Sequence, residues 1–280
     1  MRLKNYRPTT GLLLLLFFGL FGSCRPSYES VKLIPWGEYA ALDLDGPYVL
    51  HMDGEEGDLL YYGALHSNRI EDAQMRDIEN QWTEFRPTVA YCEGGIWPLG
   101  VDRDDAIRRF GEQGLVRFLA ERDHVPVRTF DPSLRHQAVY LTGKFTPEKV
   151  KIYYMLLHVM ITRRHRDLFD ADFCIDAALD FASEIPFSGC EPSDRDDFIS
   201  RMNFYFPEQR DWARVSPVYF HEPEKGKFLA EIHMTLSHFR DRVMLQHLIQ
   251  QIKRGERVFA VAGRAHVAVQ EPVLRAAISE

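Results

Sequence analysis

The sequence lacks the features that mark several common classes of protein. It has no basic stripe, since 41 Asp and Glu residues outnumber 34 Lys and Arg residues and give a formal net charge of −7. A nucleic-acid partner is therefore not expected. Low-complexity tracts and tandem repeats are also missing, whereas 45% of the 280 residues are hydrophobic. The chain is long and apolar enough to bury a substantial core, which excludes an intrinsically disordered protein.

Cysteine is scarce as well, with four in the whole chain. No two of them have the C-x-x-C spacing of zinc or redox sites. In an exported protein, Cys174 and Cys190 are close enough in sequence to form a disulfide, which would leave Cys92 as an unpaired buried thiol.

The apolar run near the start of the sequence is too short to cross a bilayer as a helix. Residues 11–21 (GLLLLLFFGLF) follow three basic residues and have the length of the apolar region of a signal peptide. The run leads into Gly-Ser-Cys, ending at Cys24. Small residues before a cysteine resemble a bacterial lipobox, with cleavage before Cys24 and a lipid on its sulfur. An ordinary signal peptide or an uncleaved anchor is the alternative.

The lipobox predicts a lipoprotein signal peptide at residues 1–24, followed by a linker at residues 25–40 and a single domain at residues 41–280. It also predicts a bacterial protein of the cell envelope, lipid-anchored in the periplasm or at the outer surface. The membrane is then one partner, reached through Cys24. A small-molecule or peptide substrate, whose identity the sequence does not give, is the other.

Strand and helix patterns alternate along the first half of the sequence. Apolar or alternating runs predict strands at Tyr48–Met52, Asp58–Tyr62, Thr88–Cys92, Val125–Phe130 and Val258–Ala262. Helical spacing predicts helices at Ile70–Phe85, Asp104–Arg122, Thr146–Arg166, Phe173–Ile185 and Phe228–Arg254. The alternation predicts the α/β class, with a mostly parallel central sheet covered by helices and a helical insertion in the middle. Residues 188–212 are expected to form an irregular connection that lines a site or acts as a lid.

Polar residues follow four of the predicted strands. They are His66, Glu93, Asp131 and His266. In open parallel sheets, ligands bind beyond the carboxyl ends of the strands, so these residues are expected at one edge. Two of the strands end in the same pattern, Gly-x-x-His, at Gly63 and again at Gly263. The repeated pattern predicts that the two histidines share one cleft.

Two imidazoles and one carboxylate support two kinds of chemistry. They ligate a divalent metal that activates water against an ester, amide or peptide carbonyl. Alternatively, one histidine acts as a general base and the carboxylate orients it. Because His and Glu suit several divalent ions, the metal would be Mn, Co or Zn. A histidine after a strand is also common in loops that have no catalytic role, so the residues alone leave these alternatives open.

Four segments together resemble the TraB/TIKI (GumN-like) family: YYGALHSNR, VAYCEGG, FRDRVML and VFAVAGRAHVAV. That family is marked by two G-x-x-H motifs, a glutamate after an intervening strand, and an Arg-Asp/Asn-x-x-Met segment on a helix before the second motif. The order here is the same, with His66, Glu93, residues 240–244 and His266. The resemblance extends from about residue 58 to the C-terminus, with little contribution from the middle third.

The resemblance implies a fold shared with erythromycin-esterase-like and ChaN-like proteins. Its relatives include metal-dependent proteases, esterase-like enzymes and a haem-binding branch. It implies catalytic roles for His66, Glu93, Arg240 and His266, and metal ligation by the two histidines and Glu93. The second motif departs from the frequent Gly-Ala-Gly-His, because Arg264 adds bulk and charge near the site.

Other polar groups near these motifs are expected to contact the substrate: Asn68, Asp131, Arg242 and Arg264. On the long helix, the family motif selects Arg240. Helical periodicity instead places Arg242 on the apolar stripe, where an arginine either faces a polar site or extends its head to solvent. We take Arg240 as the residue that binds a substrate carboxylate or an oxyanion, and Arg242 as the alternative.

The favoured function is therefore hydrolysis of an ester, amide or peptide bond at a divalent-metal centre, by a lipoprotein of the cell envelope. One alternative is a metal-independent esterase with a histidine general base. The other is a non-catalytic lipoprotein that binds haem or another ligand at the same edge.

Overall fold

The central sheet has five strands, and the computed structural model describes them completely. It describes residues 33–39, 42, 44–164, 169–187, 189–209 and 211–278. The strands are β1 Tyr48–Asp53, β2 Asp58–Ala64, β3 Val89–Cys92, β4 Val127–Thr129 and β5 Arg257–Gly263. Their order in the sheet is β1-β2-β5-β3-β4. Strands β2, β5, β3 and β4 are parallel, and β1 pairs with β2 as an antiparallel hairpin. The predicted α/β class is confirmed.

Side chains of the strands alternate between two layers of helices. Leu59 and Tyr61 of β2 pack under the C-terminal pair of helices, α10 (Phe228–Ile252) and α11 (Arg264–Ile278). Leu60 and Tyr62 face the opposite layer, formed by α2 (Ala73–Phe85) and α3 (Arg103–Arg122). Because successive residues of a strand point to opposite faces, apolar runs of this kind suit a sheet covered on both sides.

The helical insertion lies between β4 and β5 in the chain. Its helices are α4 Leu134–Thr142, α5 Pro147–Arg164, α6 Ala171–Ala182, α7 Arg195–Tyr205, α8 Val218–His221 and α9 Pro223–Gly226. They enclose a core of their own that includes Tyr153, Phe198, Trp212 and Phe220. A short helix, α1 Trp36–Tyr39, precedes β1, and a 3-10 helix lies at Trp212–Arg214. The described residues from 33 to 278 belong to one compact unit.

One local prediction was wrong, and two helices were not predicted. Residues 188–212 were expected to be irregular, but Arg195–Tyr205 is helical, with its first turn capped by the carboxylate of Asp194. Phe198 and Met202, one turn apart, bury the inner face of this helix. Helix α4 was not predicted, and neither was α11, which begins directly after Gly263 without a loop.

Predictions from the sequence also concerned the cysteines and the hydrophobic segments. The structure contains no disulfide between Cys174 and Cys190, so the bond proposed between them is not formed. Among the residues that the structure describes, no helix is long and apolar enough to span a membrane. The predicted signal peptide and the predicted lipidation site at Cys24 lie outside the described residues.

Candidate active site

The candidate site lies at the carboxyl edge of the parallel strands. Residues that follow β2, β3, β4 and β5 meet there, because these strands are neighbours that run in the same direction. The four polar residues predicted for this edge are His66, Glu93, Asp131 and His266. Arg240 and Asp241 of α10 join them from the helical layer.

Glu93 connects the two ends of this group. Its Oε1 lies 2.6 Å from Nη2 of Arg240 and 3.4 Å from Nε2 of His266. Its Oε2 accepts a 2.7 Å hydrogen bond from the backbone N–H of Gly263. Burial opposes the charged form, but the nearby His266 and Arg240 outweigh it and hold the pKa of Glu93 well below its usual range. The Glu93 carboxyl group is therefore ionised at neutral pH.

Arg240 lies between two carboxylates. Its Nε is 2.7 Å from Oδ1 of Asp131, and its Nη2 is 3.1 Å from Oδ2 of the same residue. Asp131 also accepts a 2.6 Å hydrogen bond from the backbone N–H of Gly94. The guanidinium thus holds the loops after β3 and β4 together. Of the two arginines considered on α10, Arg240 is the one that enters the site.

His266 lies in the first turn of α11 and is 9% exposed. Its Nδ1 is 2.6 Å from Oδ1 of Asp241, which is fully buried. Gln270, one turn later on α11, donates a 2.8 Å hydrogen bond to the same oxygen. Burial lowers the pKa of His266, but the carboxylates of Asp241 and Glu93 raise it to about 10. His266 is therefore an imidazolium at neutral pH.

His66 is held in the same way by a different carboxylate. Its Nδ1 lies 2.6 Å from Oε1 of Glu112 in α3, and the Glu112 side chain is 4% exposed. The other oxygen of Glu112 accepts a 3.3 Å hydrogen bond from the backbone N–H of Ser67. In contrast to His266, the His66 side chain is half exposed. The site therefore has one accessible and one buried histidine, each oriented by a carboxylate.

Gly263 brings the two histidine motifs together. A Cβ atom at this position would lie 2.9 Å from Nε2 of His66 and 3.7 Å from Oε2 of Glu93. These two side-chain atoms cannot be farther apart than the sum of those distances, so His66 and Glu93 belong to the same site. The glycine at the end of β5 is required because any side chain there would displace the imidazole of His66.

Three other residues were predicted to bind substrate, namely Asn68, Arg242 and Arg264. Arg264 donates hydrogen bonds of 2.6 and 3.0 Å to the carbonyl oxygens of Leu44 and Gly46. It fastens the N-terminal segment to the domain, and its role in substrate binding stays a prediction. Asn68 is exposed, and its amide lies 3.5 Å from the carbonyl oxygen of Arg108. The buried Nε of Arg242 has no hydrogen-bond partner among the described residues.

Sequence reasoning missed the residues that orient the site. Glu112 of α3 binds His66. Its neighbour Gln113 accepts a 3.1 Å hydrogen bond from the backbone N–H of Glu93. The signal for them was the segment Gly-Glu-Gln-Gly within a helical pattern, since two charged or amide residues between glycines are unusual on a buried face. Gln270 follows His266 by four residues, which places both on one face of α11.

The site carries an excess of negative charge. The carboxylates of Glu93, Glu112, Asp131 and Asp241 are at most 12% exposed. One guanidinium, that of Arg240, lies among them. If both imidazoles were neutral, the carboxylates would outnumber the cations, and burial of that excess would be costly. The raised pKa of His266 reduces this imbalance by one charge.

The chemistry of the donors fits a divalent metal in part. Metal-binding histidines commonly place their second ring nitrogen on a carboxylate, as both His66 and His266 do with Nδ1. Glu93, the third predicted ligand, is instead paired with Arg240. Among the described residues, no three His, Cys, Asp or Glu side chains are grouped as a metal site. The two imidazoles suit a metal. Glu93 would have to give up its ion pair with Arg240 to become the third ligand.

Comparisons with known proteins do not extend this description. No family model matches the sequence, and neither a curated protein nor a solved structure matches it. The resemblance to the TraB/TIKI family therefore remains a prediction that depends on the motifs of this chain.

Proposed function

We propose that this protein, as a member of the TraB/TIKI-like group, hydrolyses an ester, amide or peptide bond at the carboxyl edge of its sheet. One observation carries the proposal: the half-exposed ring of His66 is held through Nδ1 by the buried carboxylate of Glu112, 2.6 Å away. A carboxylate in that position fixes the tautomer of an imidazole and raises its capacity to accept a proton at Nε2. His66 is then the general base.

The two histidines divide the proton transfers. Nε2 of His66 takes a proton from water, and the water oxygen forms a bond to the carbonyl carbon of the substrate. The imidazolium of His266, whose pKa is about 10, donates its proton to the leaving oxygen or nitrogen as the carbon–leaving-group bond breaks. Asp241 and Glu93 hold this second histidine in place, and Arg240 binds Glu93. The cations stabilise negative charge on the substrate oxygen.

The proposal is tested with p-nitrophenyl esters, amides and peptides as substrates for the wild type and for His66→Ala. Loss of a general base is expected to lower kcat/KM by about 10²- to 10⁴-fold. The matched control is His124→Ala, which changes a histidine that the site does not contain. A wild type without activity on any of these substrates would contradict the proposal. An absorbance band on haem addition in that inactive protein would favour the ligand-binding alternative.

A metal-dependent form of the same hydrolysis is the second candidate, and the excess of buried carboxylates favours it. A Mn, Co or Zn ion would be held by His66 and His266, with Glu93 as a third donor. When bound, such an ion polarises a carbonyl and lowers the pKa of bound water. The protein would contribute the carboxylates of Glu112 and Asp241, which orient both imidazoles.

Metal binding is measured separately from activity. His266 is an imidazolium in the metal-free protein, with a proton on both ring nitrogens. Binding of Mn²⁺, Co²⁺ or Zn²⁺ must therefore release about one proton, which calorimetry in buffers of different ionisation enthalpy detects. His266→Ala should abolish the proton release and weaken binding. Full activity after exhaustive chelation, together with no heat of metal binding, would exclude the metal-dependent mechanism and favour the metal-independent one.

A further inference from the structure

The glycine of the first Gly-x-x-His motif lies against the helix that carries the second histidine. A Cβ atom on Gly63 would be 2.8 Å from the Cα atom of Arg264 and 3.0 Å from Cγ2 of Val267, at the start of α11. It would also lie 2.6 Å from the carbonyl oxygen of Tyr48 in β1. Because such contacts are too short for a Cβ atom, only glycine lets the start of α11 approach the end of β2 this closely.

The two motifs therefore make room for each other. Gly263 leaves space for the ring of His66, and Gly63 leaves space for the helical turn in which His266 lies. The parallel register places the two glycines close together on neighbouring strands, since Ala64 pairs with Gly263. The repeated pattern is thus a reciprocal packing arrangement, in which each glycine faces the other motif.

The first residue of α11 is also held by the chain segment that precedes β1. Nη1 of Arg264 donates hydrogen bonds of 2.6 and 3.0 Å to the carbonyl oxygens of Leu44 and Gly46. A guanidinium bound to two carbonyl oxygens forms stronger contacts than a neutral donor would. Arg264 therefore fixes the start of the helix two residues before His266.

The chain around the start of β1 meets α11 at two further places. The backbone N–H of Ile34 donates a 3.2 Å hydrogen bond to the carbonyl oxygen of Val269. The hydroxyl of Tyr48 donates a hydrogen bond to the carboxylate of Glu271. His266 lies along the helix between Arg264 and these two contacts. Rotation or sliding of α11 would therefore break several bonds to the preceding chain.

His266 makes two contacts that depend on the position of α11. Its Nδ1 lies 2.6 Å from Oδ1 of Asp241, and its Nε2 lies 3.4 Å from Oε1 of Glu93. Asp241 belongs to α10 and Glu93 follows β3, so neither is part of the helix that carries His266. A displacement of α11 by about 1 Å would lengthen these contacts, and a misplacement of that size can lower a rate by about 10²-fold.

We propose that Arg264 is a positioning residue, through which residues 44–46 hold His266 against Asp241 and Glu93. The inference rests on the proposed hydrolytic function, in which His266 is the proton donor, and it makes the segment before β1 a part of that site. In this role Arg264 acts through the backbone of α11 rather than by contact with the substrate. Gly63 supports the same position from β2.

Kinetics separate positioning from substrate binding. In Arg264→Ala we expect kcat on p-nitrophenyl esters to fall by about 10- to 100-fold with KM little changed, because the proton donor is displaced. Both bonds come from one nitrogen, so Arg264→Lys should recover part of the loss. The matched control is Arg275→Ala, which removes an arginine of α11 that pairs with Glu271 of the same helix. A raised KM with unchanged kcat in Arg264→Ala would assign Arg264 to substrate binding and overturn its positioning role.

A spectroscopic measurement does not require turnover. The proton in the 2.6 Å contact between His266 and Asp241 should give a far-downfield ¹H NMR signal, which Asp241→Asn identifies by its loss. We expect this signal to move upfield or broaden in Arg264→Ala and Gly63→Ala, and to remain in Arg275→Ala. Circular dichroism shows whether each variant is folded, and Arg264→Gln replaces the alanine variant if that protein does not fold.

The two measurements together distinguish the inference from the proposed function. If the signal changes as expected but the wild type hydrolyses no ester, amide or peptide, the positioning of His266 stands and the proposed hydrolysis fails. If the wild type is active and neither kcat nor the signal changes in Arg264→Ala, the proposed function stands and the positioning role of Arg264 is overturned.

Discussion

Nδ1 of His266 lies 2.6 Å from Oδ1 of Asp241, and neither side chain is more than 9% exposed. An ionised carboxylate in that position, together with Glu93, stabilises a proton on His266 although burial opposes it. The pair converts a histidine that would be neutral in the core into a buried cation. The charge balance of the whole site depends on it.

The first prediction concerns pH. The pKa of His266 is raised from 6.5 to about 10, so its contribution to stability is complete below pH 6.5 and is lost as the pH rises through 10. We expect the free energy of unfolding, measured with urea, to fall by about 2–4 kcal/mol over this interval. Asp241→Asn should flatten the dependence, whereas Asp180→Asn at an exposed position of α6 should not. An identical slope in Asp241→Asn would exclude the pair as its source.

The second prediction concerns the partner of His66. Glu112→Gln keeps the size of the side chain but removes its charge, and an amide N–H facing Nδ1 would favour the wrong tautomer of the imidazole. We expect kcat to fall by about 10²- to 10⁴-fold, with KM little changed. Glu121→Gln, on the same helix but exposed, is the control. Kinetics indistinguishable from the wild type would mean that Glu112 supports the loop only.

The third prediction contrasts two arginines of α10. Arg240→Ala leaves Glu93 and Asp131 buried without their shared cation, so we expect a loss of about 3 kcal/mol of stability as well as loss of activity. The figure lies at the lower end of the usual range because the Arg240 side chain retains 21% exposure. Arg242→Ala should cost less than half as much, which thermal denaturation of both variants would show. Equal losses would refute the central position of Arg240.

The fourth prediction concerns Gly263. In Gly263→Ala the new methyl group would lie 2.9 Å from Nε2 of His66, which must turn outward into solvent. We expect hydrolysis to be nearly abolished while stability falls by about 1 kcal/mol. Gly143→Ala is a suitable control, because its nearest contact would be 3.4 Å and its backbone is helical. Retained activity in Gly263→Ala would place His66 outside the reaction centre.

The fifth prediction concerns the start of the chain. When the protein is expressed in a bacterium with labelled fatty acid, the label should enter the wild type and not Cys24→Ser. The motivation is the basic start, the short apolar run and the Gly-Ser-Cys ending. Wild-type protein that is released without label would remove the lipoprotein prediction and leave an ordinary signal peptide or anchor.

The sequence was informative about the sheet because apolar runs end at glycine or at polar residues. The runs at β2 and β5 are 7 residues long in the structure and end beside the two Gly-x-x-His motifs. Parallel pairing then brings residues 66 and 266 to one edge without further information. The number of residues between two strands does not affect how close their carboxyl ends lie once the strands are neighbours in the sheet.

Orientation of the site was less predictable because it depends on side chains from helices. Glu112 lies 46 residues from His66, and Asp241 lies 25 residues from His266. Apart from the Gly-Glu-Gln-Gly segment, the pattern of α3 does not indicate which polar residue faces the sheet, since its buried residues include Glu112 and Gln113 beside Leu115 and Val116. Helical periodicity favoured Arg242 over Arg240 for a similar reason: it reports burial and does not distinguish a buried ion pair from an apolar contact.

Helix α3 bends at Gly111, where φ is 60°, and a Cβ atom there would lie 2.6 Å from the carbonyl oxygen of Ser67. On either side of that bend, consecutive residues of the helix contact the loop after β2 and the loop after β3. The positions of both loops therefore depend on the bend at Gly111. A displacement of one loop is expected to displace the other. In related sequences, a side chain at position 111 should be found only where the segment around position 67 has also changed, so that the geometry of the site is inherited as one unit.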